Sequence, residues 1–297
     1  MTALIAAAIV AVALAVLVWL LLPPWLRRRR RALDSERPLP PAWRVIFARN
    51  VPVTRELPAA LARRFDGLVQ SFLREKQFVG CGGLDITDEI RVTIAAQACV
   101  LLLGRPGSLY DELQSILVYP GAFWVEDEVH DDDGLVTRRR RELAGEAWDS
   151  HRIILSWDDV TESLAERGDG YNVVLHEFAH YLEAEGRGLA PASSVAAATG
   201  DTARRDNARD RARAWTANME REFTSFCAVV DRGEETFLDP YAAEDESEFL
   251  AVATEDFVEC GADLRAAHPR LYALLVEYYG TDPAQWRDDA RSHDGAA

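Results

Sequence analysis

Hydrophobic and polar residues follow each other along the chain in three rhythms, and each predicts a different element. The first is an unbroken apolar run. Ala3 to Leu22, ALIAAAIVAVALAVLVWLLL, is twenty residues without a charge, the length a helix needs to cross a bilayer. It begins at once and ends in Pro23-Pro24-Trp25 rather than in a small-residue cleavage site, so it predicts an uncleaved transmembrane anchor and not a signal peptide. Five arginines, Arg27 to Arg31, follow the span and none precedes it. By the positive-inside rule the rest of the chain then faces the cytoplasm from the inner membrane, with a basic segment suited to anionic headgroups. The polar, proline-rich stretch Asp34 to Pro41 reads as a linker. The expected organisation is an anchor over 1–26, a basic juxtamembrane segment and linker over 27–55, a folded domain over 56–285 and a flexible tail over 286–297.

The second rhythm, near 3.6 residues, marks helices. Leu61, Phe65, Leu68 and Phe72 carry it between Glu56 and Lys76, and Ile94, Ala95, Ala98 and Leu101 carry it between Thr87 and Leu103. Trp215, Met219, Phe223 and Phe226 place a long helix over Asn207 to Val230; others are expected from Asp245 through Cys260 and from Arg270 to Tyr279. The third rhythm is short and β-branched: SILVY (Ser115 to Tyr119), Phe123 to Val125, and RIILSW (Arg152 to Trp157) read as strands. The acids of Glu126 to Asp133 and the arginines Arg138 to Arg141 read as a solvated hairpin whose opposite charges pair. RIILSW is the candidate to bind substrate backbone by strand addition. Leu189 to Asp206, rich in small and polar residues, reads as a mobile loop.

One stretch carries chemistry as well as pattern. In YNVVLHEFAHYLEAEG, Tyr171 to Gly186, Val174, Leu175, Phe178, Ala179 and Leu182 form an apolar stripe, with His176, Glu177 and His180 outside it. Asp169 or Asn172 supplies an N-cap, and Gly186 and Gly188 end the run. Histidines four apart stack on one helix face, so both imidazoles reach a single ion. Glu177 points about 100° round the helix from His176, poorly placed as a ligand and well placed as general base beside a metal-activated water. The pattern His-Glu-x-x-His on an amphipathic helix therefore predicts a zinc-dependent metallopeptidase acting on a peptide or protein substrate. An aminopeptidase holds its substrate's free amine with an acidic group, and the chain offers many carboxylates for that task.

Composition narrows the alternatives. A net charge of −16 disfavours nucleic acid as a partner. Cys81, Cys99, Cys227 and Cys260 lie far apart without a Cys-x-x-Cys pair and read as buried free thiols.

A catalytic zinc takes three protein ligands and keeps one position open. The extended pattern with a third histidine needs a glycine three residues and a histidine six residues past His180, where the chain has Glu183 and Gly186. His130, His151, His268 and His293 have no motif around them. The best acidic segment is ESEFLAVATEDF, Glu246 to Phe257. Glu248 is either a ligand or the glutamate of a capping box begun by Asp245. Glu255, on the same face, is either an outer partner that orients a ligand imidazole or an exposed helical acid.

The stretches FVGCGGLDITDEIRVTIAAQACVLLL, ILVYPGAFWV, IILSWDDV, YNVVLHEFAHYLE, DPYAAEDESEFLAVATEDFVE and HPRLYALLVEYYGTDP, in this order, resemble the Mlc titration factor A family of zinc peptidases, whose gluzincin-like catalytic core is similar to that of the lethal-factor-type proteases. The resemblance implies a third zinc ligand at Glu248, in the segment matching the family's Ala-Glu-x-Phe-Ala-Val, from which Ser247 and Leu250 depart. It implies an oxyanion-stabilising phenol at Tyr241, matching the family's Tyr-Ala-Ala. It also implies a cytosolic regulatory partner, since the family's namesake role is to bind a sugar-responsive transcriptional repressor. The expected fold is α+β, a mainly helical zincin-like metallopeptidase domain with a small β-sheet, preceded by one transmembrane helix. The expected function is a membrane-anchored cytoplasmic zinc peptidase; the alternative is a regulatory binding protein that sequesters a repressor or another cytosolic partner, with a structural or vestigial metal site.

Overall fold

The computed structural model describes residues 2–286 apart from 36, 106, 108, 122, 131–135, 144, 150, 166–167, 169 and 186–201. The expected loop at Leu189 to Asp206 thus lies mostly, and the expected tail almost wholly, outside the described residues, as does Asp169.

The chain begins with α1 (Thr2–Ser35), α2 (Pro41–Asn50) and a 3-10 turn at Pro52–Arg55. Next come α3 (Ala59–Glu75), β1 (Gln77–Gly80), α4 (Asp88–Val100), β2 (Ser115–Tyr119) and the hairpin β3 (Phe123–His130) and β4 (Val136–Leu143). The strands β5 (Gly145–Asp149) and β6 (Arg152–Ser156) precede α5 (Trp157–Ala165) and α6 (Val173–Glu185). The last elements are α7 (Thr202–Asp231), a 3-10 turn at Pro240–Ala243, α8 (Glu246–Glu259), α9 (Gly261–Ala267) and α10 (Pro269–Tyr279).

The transmembrane expectation is overturned. Among the described residues no helix is long and apolar enough to cross a membrane, and the single-pass inner-membrane location built on that span falls with it. The helix does not end with the apolar run: the run is the first part of a helix that continues through Pro23-Pro24 and all five arginines to Ser35. The far end of α1 docks on α3: Arg31 pairs with Glu75 at 2.7 Å and with Asp111 at 2.6 Å, and buried Asp34 accepts from Ser71 at 3.1 Å and pairs with Arg74. A run of uncharged residues measures length, and it is silent about the contacts of the charged turns that follow.

The fold is mainly helical around a small sheet of strand order β1-β2-β6-β5. β1, β2 and β6 are parallel, with Phe78 opposite Ile116 and Ile116 opposite Ile153; β5 runs antiparallel to β6. Parallel strands need crossovers, which α4 supplies between β1 and β2. Ile116, Val118, Ile153 and Leu155 are fully buried, as strands covered by helices should be. RIILSW is therefore a poor candidate for strand addition, because β6 is flanked by β2 and β5. In the hairpin the register sets Glu126, Asp127 and Glu128 opposite Arg140, Arg139 and Arg138. Of the four free cysteines, Cys99 and Cys260 are buried, whereas Cys81 and Cys227 are half-exposed.

Packing under α6 fixes its position. Val174, Leu175, Phe178, Ala179 and Leu182 are at most 1% exposed. Phe178 meets Tyr110 edge-on at 4.8 Å and Phe72 at 5.9 Å between ring centroids. Buried Lys76 supports this floor by donating from Nζ to the carbonyls of Tyr110 and Leu113, at 2.5 and 2.8 Å. The backbone N–H of Asp111 donates to Glu185, at the end of α6.

Candidate metal centre

Two helices build the site. α6 starts where Asn172 caps it, its Oδ1 accepting from the Leu175 N–H at 3.1 Å, the role expected of an N-cap asparagine. α8 grips the same turn: Glu255 accepts from the Asn172 backbone N–H, and the Asn172 side-chain amide donates to Glu259 at 2.9 Å. The turn of α6 that carries His176 is thereby registered against the acidic helix.

α8 itself is capped by Asp245, whose Oδ1 accepts from the N–H groups of Ser247 and Glu248 at 2.8 and 2.9 Å. The capping task thus falls to Asp245, and the Glu248 carboxylate is directed across to α6, with Oε2 3.0 Å from His176 Nε2 and 3.4 Å from His180 Nε2. Asp245→Ala is expected to lower stability by about 1 kcal/mol, the usual cost of a lost N-cap, measured as a shift in urea midpoint at unchanged m-value.

His176, His180 and Glu248 bring three ligand atoms within 4.8 Å of one another, the one such group among the described residues. The two Nε2 atoms lie 3.1 Å apart. A tetrahedral ion with bonds of about 2.0–2.1 Å separates its ligands by roughly 3.3–3.4 Å, so little movement is needed. Each imidazole has a partner on its other nitrogen: His176 Nδ1 is 2.8 Å from Glu255 Oε1, and His180 Nδ1 is 2.8 Å from Ser247 Oγ. With protons on Nδ1, both Nε2 atoms face the site as acceptors, and Glu248 Oε2 is buried there without a hydrogen-bond donor. Three acceptors converging on one point fit a cation. Burial opposes charge on His176, but the carboxylates of Glu248 and Glu255 raise its pKa to about 10, and against the effect of burial His176 and His180 hold the Glu248 carboxyl well below the usual range.

Glu255 is only 2% exposed, so it is an outer partner of His176 and not an exposed helical acid. Burial raises its pKa, and His176 and the Asn172 N–H act against that rise. Glu177 is 4% exposed on α6 and lies outside the converging group. Tyr241, on the 3-10 turn before α8, is half-exposed, and its ring centroid is 6.4 Å from that of His176. Its phenol is raised to about 12, first by burial and then by the charges of Glu248 and Glu244.

Residues 25–280 match the family model described as glucose-regulated metallo-peptidase M90. The chain belongs to the M90 metallo-peptidase family. An uncharacterized protein from Synechocystis sp. is 34% identical over 262 residues, covering 88% of this chain and 91% of its own length. Among relatives named Mlc titration factor A, the one from Pectobacterium atrosepticum is 29% identical over 242 residues, with 79% and 84% of the two chains covered. The one from Escherichia fergusonii is 27% identical over 268 residues, with 88% and 91% covered. M90 membership implies a metal, and in this chain the His-His-Glu group fits one. Ser247 and Glu183 are the site's neighbours that pattern reading passes over. Their only signal is position: Ser247 adjoins Glu248, and Glu183 is one helical turn beyond His180.

Proposed function

We propose that this M90 protein is a zinc-dependent peptidase whose ion is held by His176, His180 and Glu248. The observation that carries the reading is the convergence of three acceptors, two of them from the helix that also carries the buried Glu177. When bound, such an ion supplies Lewis acidity, lowering the pKa of water at its open position and polarising a carbonyl oxygen. Glu177 acts as general base toward the attacking water and returns the proton to the leaving amine. The Tyr241 phenol, kept protonated by its raised pKa, has an O–H to offer the oxyanion. The peptide has a sheet edge to pair with at β5, which has no second strand partner among the described residues and packs beside α6.

The purified chain is expected to bind one zinc ion and to hydrolyse unstructured peptides. A chelator should abolish hydrolysis and stoichiometric zinc should restore it; hydrolysis indifferent to metal removal would sink the reading.

The relatives' name favours a second reading, in which the chain binds a regulatory protein. That reading expects a metal-loaded chain that cleaves no peptide and holds its partner equally well after Glu177→Gln.

A further inference from the structure

His180 does not have the direct carboxylate partner that His176 has. Its Nδ1 meets the Ser247 hydroxyl at 2.8 Å, and that hydroxyl lies 2.5 Å from Glu183 Oε2. A serine hydroxyl has one proton to give, and an ionised carboxylate can only accept. If the proton of Ser247 goes to Glu183, Oγ can only accept from His180, which fixes the His180 proton on Nδ1 and leaves Nε2 as a lone pair toward Glu248. Glu183 and His180 share one face of α6, three residues apart, while Ser247 comes from α8. The chain of bonds thus runs from one helix to the other and back.

We infer that Ser247 and Glu183 form a positioning relay that sets the tautomer and ring orientation of His180 for metal binding, resting on the metal-site reading above. Neither residue belongs to the group of three that converges on the metal point. Ser247 also occupies the turn that presents Glu248, its N–H being held by Asp245. One residue therefore couples the orientation of two ligands from different helices. Hydrogen-bonded partners of ligating imidazoles commonly change metal affinity by about 10- to 100-fold.

The test uses the full chain. Zinc affinity is measured by competition with a chromophoric chelator. The His180 proton is located by nitrogen chemical shifts in the metal-free protein labelled at histidine nitrogen. The wild type is expected to carry the His180 proton on Nδ1. Ser247→Ala and Glu183→Ala are each expected to weaken zinc binding by about 10- to 100-fold and to move the His180 proton toward Nε2, while Ser247→Thr, which keeps the hydroxyl, restores both. Should Ser247→Ala lose its fold by circular dichroism, Glu183→Ala decides the same question. A folded variant with the proton unmoved overturns the relay, even if affinity falls, because the serine would then only pack. A wild-type chain that takes up no zinc overturns the proposed function instead, and the proton's position still decides the relay.

Discussion

Replacing Glu177 by glutamine is expected to leave zinc in place and to lower kcat for peptide hydrolysis by about 10²- to 10⁴-fold, the usual range for loss of a general base. The two halves of this outcome come from different features. The metal group consists of His176, His180 and Glu248, with Glu177 outside it, so ligand geometry does not depend on the substituted side chain. Glutamine keeps the volume at a position 4% exposed but cannot take a proton from water. Zinc content and steady-state kinetics on one preparation check both halves. Retained hydrolysis would remove Glu177 from the mechanism; lost zinc would give it a structural role.

What could be read from sequence follows the range of each interaction. The helix carrying His176 and His180 was legible because its apolar stripe and its histidines repeat within four residues, and all five stripe residues are buried. The strand segments were legible from their β-branched runs, but their order was not. Pairing of β2 with β6 joins Ile116 to Ile153 across a separation that no local pattern encodes, so RIILSW read as a free edge when it is an inner strand. Glu248 stood between ligand and cap because both roles place a glutamate three residues after Asp245. What spacing could not supply is where its carboxylate points, 3.0 and 3.4 Å from two Nε2 atoms on another helix. Glu255 presented the same difficulty more strongly, since spacing put it on the correct face and could not bury it. The misread segment at the N-terminus has the opposite cause. Its twenty uncharged residues are a strong local signal, while the docking of Arg31 and Asp34 onto α3 is a long-range contact.

Glu255→Gln should be more damaging than its shape suggests. The native carboxylate accepts twice, from His176 Nδ1 through Oε1 and from the Asn172 N–H through Oε2. A glutamine offers one acceptor and one donor, so either orientation sets its N–H against another donor inside a site 2% exposed. Leaving one buried donor unsatisfied costs about 1–3 kcal/mol, and that loss is expected in urea unfolding of the metal-free chain. Zinc should widen the gap. With His176 no longer held by its Nδ1 proton, affinity is expected to fall about 10- to 100-fold, which at saturating zinc removes a further 1.4–2.7 kcal/mol or so of linked stability. Unfolding both proteins with and without zinc therefore separates the two roles of Glu255. A deficit of equal size in both states would limit it to capping α6 through Asn172, and a deficit that grows with zinc would assign it to the orientation of His176.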